Sequence, residues 1–163
     1  MKAKDKTYNI LFCGIGGQGV LKASEICGWA AVLEGYHVKK SEVHGMAQRG
    51  GSVESHLRFG KEVFSPLIPA GQVEYLVSFH ADEHLRMEKL VKADCVDLIE
   101  YLQKAQSEVS DPRHANTYLV GVLSAFLPIK EENWNKALEK VFPAKILEEN
   151  KEVFLKGRRG SKI

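Results

Sequence analysis

Three groups of residues in this chain have types and spacings able to do chemistry. The first is Gly14-x-Gly16-x-x-Gly19, which follows a short apolar run directly and precedes apolar residues at helical spacing. Between a strand and a helix, such glycines allow a tight turn, close approach of backbone to a ligand and close helix packing, and free N–H groups at the helix start attract an anion. Gly14, Gly16, Gly17 and Gly19 are therefore candidates for contact with a phosphate or a partner, with positive φ expected at Gly16. Glu42 lies about 20 positions further on, where a dinucleotide site would bind a ribose hydroxyl. A glycine turn that only packs its helix explains the same pattern.

The second group is the run Ser41-Glu42-Val43-His44-Gly45-Met46-Ala47-Gln48-Arg49-Gly50-Gly51-Ser52. It sets an imidazole, an amide and a guanidinium on backbone freed by glycine, which suits recognition of a carboxylate, a phosphate or a neighbouring subunit's carbonyls. His44, Gln48, Arg49, Gly50, Gly51 and Ser52 are read as a loop facing substrate or partner. His44 is its only conceivable acid–base group, and with no visible partner for it, binding is favoured and no catalytic residue is assigned. The third group, His80 and His84, stands four apart on a predicted helix and has metal-ligand spacing. Asp82, Glu83 and Arg86 around the pair mark a solvated face, so no metal site is assigned. Cys13, Cys27 and Cys95 are scattered without a CxxC pair and cannot ligate a cluster by themselves; Cys13 and Cys27 read as buried small hydrophobes.

The elements that must position these groups follow from periodicity. Residues 8–13 form a buried strand, the series from Val20 to Leu33 a helix closed at Gly35, and residues 36–40 a second strand, making 8–40 one βαβ unit. Residues 41–52 are expected to be a long loop, and 53–59 to form an antiparallel hairpin with 62–64. A buried strand at 73–79 and a helix at 81–91 come next, then helices at 96–106, 115–127, 131–142 and 144–155 with a frayed tail. No strand is evident between 92 and 97, where an open α/β sheet would continue. The expected fold is α/β: a Rossmann-like mixed sheet, mostly parallel, with an antiparallel hairpin and a helical C-terminal part, in one domain over 1–163.

Composition narrows the function classes. Twenty-three Lys+Arg against 21 Asp+Glu leave a net charge of +2 with no basic stripe, which argues against nucleic-acid binding. At 44% hydrophobic and 27% charged residues the chain can bury a core. Its longest apolar stretch, 118–129, falls short of the roughly 20 residues that cross a bilayer. No signal-peptide pattern follows Met1, so a cytoplasmic protein is expected.

The segments ILFCGIGGQGV, KKSEVHGMAQRGGSVESHLRFG and SPLIPAG, with the later Asn116-Thr117-x-x-x-Gly121 and Glu148-Glu149-Asn150, resemble the small, gamma-type subunit of 2-oxoacid:ferredoxin oxidoreductases. Within that family the HGMAQRGGSV stretch is most similar to the beta subunit of indolepyruvate ferredoxin oxidoreductase. The resemblance covers residues 8–90 and, more loosely, 113–157. It implies a pyruvate/ketoisovalerate oxidoreductase gamma-type domain of Rossmann-like fold. The implied reaction is oxidative decarboxylation of an arylpyruvate such as indolepyruvate, with coenzyme A as acyl acceptor and ferredoxin as electron acceptor. Thiamine diphosphate and iron–sulfur clusters would be held by a large partner subunit, towards which, or towards coenzyme A or the substrate channel, the glycine turn and the loop would face. The chain departs from the family where Lys92-Ala93-Asp94-Cys95 joins directly onto Val96, so that a strand-bearing segment near 92–97 is either shortened or missing. An autonomous NAD(P)- or flavin-binding oxidoreductase and a purely structural assembly module remain the alternatives.

Overall fold

The structure, a computed structural model, describes residues 5–47 and 50–162. Among them are the strands β1 (Tyr8–Ile15), β2 (His37–His44), β3 (Ser52–Gly60), β4 (Val73–Ser78) and β5 (Val91–Asp97). The helices are α1 (Val20–Glu34), α2 (Ala81–Met87), α3 (Glu100–Glu108), α4 (Ala115–Ser124), α5 (Glu131–Val141) and α6 (Ala144–Gly160). The strands make one sheet in the order β2-β3-β1-β4-β5. β1 pairs with β4 and β4 with β5 in parallel, whereas β3 is antiparallel to both β1 and β2. Parallel and antiparallel pairings are thus equal in number.

Strand alternation divides the core. Ile10 and Phe12 of β1, Leu57 and Phe59 of β3, and Tyr75 and Val77 of β4 turn to the face covered by α1 and α4. Leu11, Cys13 and Leu76 turn to a smaller core closed by Ile68 and Met87. α1 begins at Gly19 and ends at Gly35, both left-handed; Gly35 N–H bonds to the Val32 carbonyl and Tyr36 N–H to that of Ala31, a Schellman-type closure. α4 is buried on all sides from Asn116 to Ser124: residues 118–123 are apolar, and the polar Thr117 and Ser124 hydrogen-bond to Asn150 and Arg158. It crosses α6 where Gly121 meets the Phe154 carbonyl and Gly157 meets that of Tyr118, an approach that only glycine allows.

Several expectations are corrected. β1 and β2 do run parallel, but β3 is inserted between them, so the βαβ unit is split. The hairpin joins β2 to β3, with Val38 opposite Phe59 and Val43 opposite Glu54; residues 62–64 form no strand. Strand structure therefore takes over residues 41–44 and 52 of the expected loop. Ser41, Glu42 and His44 read as loop because an edge strand reached by solvent on both faces carries polar residues on both, leaving Val43 as the only apolar residue among 41–44. A fifth strand occupies Val91–Asp97, where none was expected, and the preceding helix ends at Met87 in a short 3₁₀ turn. This half-buried edge strand carries Lys92 and Asp94, which hide the apolar period. The tail is not frayed: α6 continues to Gly160, and Arg158 donates from Nη1 to Ser124 Oγ at 2.8 Å.

Candidate functional site

The glycine turn leaves β1 at its C-terminal end, beside the C-terminal end of the parallel β4, the position at which open α/β sheets bind ligands. Gln18 fixes it there: its Oε1 accepts from Ile15 N–H at 2.9 Å and its Nε2 donates to the Phe79 carbonyl at 2.8 Å. Positive φ falls at Gly17 (94°) and Gly19 (76°), not at Gly16 as expected. A Cβ on Gly16 would sit 3.6 Å from Gly50 N and 3.9 Å from Gly51 O, an ordinary contact. Gly19 instead lies against Asn116, whose Nδ2 donates to its carbonyl at 3.3 Å. Gly14 is closed in by Gln18, Val20 and Phe79, so its lack of a side chain serves packing.

The loop reaches the turn through the backbone. Gly16 N–H donates to the Gly51 carbonyl at 2.9 Å, and Gly45 N–H closes the hairpin onto Ser52 O at 2.7 Å. Together they bound an open cleft of about 500 Å³ lined by Gly16, Gly17, Gly19, Lys22, His44 and Val53. Among the described residues no side chain caps α1 at this end, and its first turn holds no acid, so the helix start and Lys22 give the cleft a positive character. A smaller cavity of about 270 Å³ shares Gly17 and continues to Phe79 and Arg113. His44 is more than half exposed, with its Nε2 3.9 Å from Glu42 Oε2. Gln48 and Arg49 lie outside the described residues.

The structure thus brings Gly16, Gly17, Gly19, His44 and Gly51 together, and it turns Ser52 to the opposite face of the sheet. There Ser52 Oγ donates to Glu83 Oε1 at 2.7 Å. Arg86 spans Glu83 at 2.7 Å and Glu54 at 2.9 Å, and His56 Nε2 lies 3.5 Å from Glu54. The His56 imidazole, with the Arg86 guanidinium, holds the Glu54 carboxyl below its usual range. This network roots the loop on α2, and the sequence did not reveal it: Glu83 and Arg86 read as a solvated face, yet Glu83 is buried. Charged residues spaced three apart beside a strand were the available signal.

Other candidates are corrected likewise. Glu42 stands on β2, two strand spacings or roughly 10 Å from β1 with β3 between, and pairs with Lys40 at 2.8 Å. It is not placed as the acid of a dinucleotide site. His84 is buried, not solvated: its Nδ1 lies 3.2 Å from Ser78 Oγ and its Nε2 3.2 Å from Glu88 and 3.3 Å from Asp97. His80 caps α2 by accepting from Asp82 N–H. Among the described residues no three His, Cys, Asp or Glu side chains are arranged to hold a metal ion. Cys13 and Cys27 are buried, and burial raises both thiols, Cys13 to about 11. Half-buried Cys95 is also pushed to about 11 by burial and by Asp97. No helix of the described residues is long and apolar enough to cross a membrane.

Comparison with known proteins gives this geometry a setting. The family described as pyruvate ferredoxin/flavodoxin oxidoreductase matches residues 9–102 and 91–160, two segments that meet around β5. The chain is 37% identical over 142 residues to indolepyruvate oxidoreductase subunit IorB of Thermococcus kodakarensis, covering 87% of this chain and 64% of that protein. It therefore spans somewhat under two thirds of the length of that relative. The fold is shared with 2-oxoglutarate:ferredoxin oxidoreductase of Magnetococcus marinus, solved with 2-oxoglutarate, coenzyme A and succinyl-CoA bound: TM-score 0.79, 17% identity, 95% of this chain and 31% of that one. It is shared also with a keto/oxoacid ferredoxin oxidoreductase gamma subunit of Geobacter sulfurreducens, with TM-score 0.74, 22% identity, 93% of this chain and 96% of that one.

Proposed function

The chain belongs to the pyruvate ferredoxin/flavodoxin oxidoreductase family, and on that premise we propose that it is the small subunit of a 2-oxoacid:ferredoxin oxidoreductase acting on indolepyruvate or another arylpyruvate. The observation that carries the substrate class is the 37% identity to the indolepyruvate oxidoreductase subunit over most of this chain. The reaction is oxidative decarboxylation to an acyl-coenzyme A with ferredoxin as electron acceptor.

Thiamine diphosphate and the iron–sulfur clusters belong to the large partner in this reading. Cys13 and Cys27 lie in the core and Cys95 on an edge strand, a donor set that does not fit a cluster. Coenzyme A fits this chain better. The start of α1, the backbone of Gly17, and Lys22 offer N–H groups and a positive charge to a phosphate in the open cleft. His44 and the exposed Met46 at the hairpin end suit contact with the large subunit. The chain's part is then to bind, to orient and to close the assembly, without carrying electrons.

Two measurements test this. The isolated chain should be colourless and inactive, and adding the large subunit should restore coenzyme-A-dependent ferredoxin reduction. Iron–sulfur absorbance from the isolated chain would overturn the assignment of the clusters to the partner. Titration with NAD(H), NADP(H), FAD and coenzyme A separates the alternatives: tight dinucleotide binding would favour an autonomous oxidoreductase, and binding of none of the four would leave an assembly module.

A further inference from the structure

We propose that the edge strand β2 pairs antiparallel with β2 of a second copy of this chain, about a two-fold axis through Ser41, joining two sheets into one. Among the described residues β2 closes one end of the sheet, bonded to β3 on one side only, and six of its eight residues are exposed. Its outer edge therefore offers a row of unpaired N–H and C=O groups.

The charges on β2 select the partner and the register. A symmetric antiparallel pair has its axis normal to the sheet, so facing residues come from the same side of the strand. Centring the axis on Lys40 would set two lysines against each other. Centring it on Ser41 sets Lys40 of each copy opposite Glu42 of the other, with Ser41 facing Ser41 and Val43 facing Lys39. Lys40 and Glu42 already touch within one strand at 2.8 Å. The axis closes the two pairs into a ring of four alternating charges, and opposite charges placed directly across a ladder are stabilising. A partner of unrelated sequence would not require β2 to be complementary to itself.

A second observation lies on the same edge. Between α1 and β2 is an open groove of about 290 Å³, lined by Trp29, Val32, Val38 and Leu57 with Lys40 at its rim. Trp29 is 39% and Val32 45% exposed, large apolar surface beside a strand whose lysines would otherwise serve to keep neighbours away. Seating a second copy on β2 removes solvent from that groove.

The test is sedimentation analysis of the full chain over a dilution series, with far-UV circular dichroism to confirm that each variant is folded. The wild type should show a monomer–dimer equilibrium that weakens with salt. Lys40→Glu and Glu42→Lys should each raise the dissociation constant at least about tenfold, since each turns two attractive pairs into repulsive ones. Mixing the two variants should restore association, because the two acids of one then face the two lysines of the other. A wild type that stays monomeric throughout, single variants that dimerise as the wild type does, or a mixture that fails to reassociate would each overturn the proposal.

Discussion

Gly16 and Gly19 look alike in the sequence, and the structure makes them opposites that substitution can separate. Alanine at Gly19 must adopt φ near 76°, which costs about 1–2 kcal/mol for a residue with a Cβ. The added methyl also runs into Asn116, whose bond to the Gly19 carbonyl is worth about 1 kcal/mol more. The sum is about 2–3 kcal/mol. For a domain of this size each kcal/mol moves the melting temperature by about 2–4 °C, so Gly19→Ala should melt about 4–12 °C below the wild type. Alanine at Gly16 meets neither obstacle, since φ there is not positive and the nearest backbone atom is 3.6 Å away. It should therefore shift melting by no more than about 2 °C, as expected for a change below about 0.5 kcal/mol. Gly16 faces the open cleft, and a methyl there would hold the proposed coenzyme A phosphate off the N–H groups of the turn. In the reconstituted complex Gly16→Ala should raise the KM for coenzyme A about tenfold, the scale of one lost hydrogen bond to a charged group. The assays are thermal melting of the isolated chain and steady-state ferredoxin reduction by the complex. A Gly16→Ala complex with wild-type KM and kcat would mean that no ligand approaches this turn. A Gly19→Ala chain with wild-type melting would mean that Gly19 does not hold the left-handed conformation.

The network beneath the loop predicts that Arg86→Leu, which leaves Glu54 and Glu83 half-buried or deeper without their cation, costs about 2 kcal/mol, less than a fully buried pair because Arg86 is 43% exposed. Because the folded-state pKa of Glu54 is lowered, its contribution is present above the ordinary 4.5 and is lost as pH falls through the folded value. The gap in melting temperature between wild type and variant should accordingly be widest near neutral pH and narrow below 4.5; a gap independent of pH would exclude an electrostatic origin. Gly121→Ala gains about 1 kcal/mol of helix propensity but must push α6 off the Phe154 carbonyl, an overpacking cost of about 1–3 kcal/mol, so the net cost is about 0–2 kcal/mol and a melting temperature above that of the wild type would refute the close crossing. Arg49→Glu should leave melting of the isolated chain within about 0.5 kcal/mol of wild type while weakening assembly or raising the KM for coenzyme A at least about tenfold. Lowered melting of the isolated chain with normal kinetics in the complex would instead make Arg49 a residue that pins its own loop.

The parts of the fold legible in the sequence were those set by one dominant local signal. β1 and β4 are buried on both faces and read as continuous apolar runs, and α1 lies between two glycines that close it by backbone conformation. What was not legible sits at the edges of the sheet. The second half of β2, 41–44, and the whole of β5 carry polar residues on both faces because solvent reaches both, which erases the period-two pattern that identifies a strand. The C-terminal turn of α6 was hidden for a different reason: Gly157 and Gly160 read as fraying, whereas Gly157 is what lets α6 lie on the Tyr118 carbonyl. At the site, the glycines were found by motif, but Gln18, Asn116 and the Glu83–Arg86–Glu54 network act through contacts between residues far apart in sequence, which spacing does not record.

The insertion of β3 between β1 and β2 also decides how the glycine motif is to be understood. In a dinucleotide-binding sheet the strand after the first helix lies beside the first strand, which brings its terminal acid to the ribose while the glycines hold the pyrophosphate. Here an antiparallel strand takes that place, with Ser52 opposite Ile15 and Val53 opposite Gly14. The side of the turn where an adenosine would lie is taken by β3 and by Gly51, whose carbonyl already accepts the Gly16 N–H. On the proposed reading such a turn still offers the helix start to an anion but gives up the flanking pocket for a nucleoside. A ligand whose phosphate docks here must therefore extend outward across the cleft past His44 and Lys22. The proposed coenzyme A, an elongated cosubstrate shared with a second subunit, meets that requirement, and a dinucleotide enclosed by one chain does not.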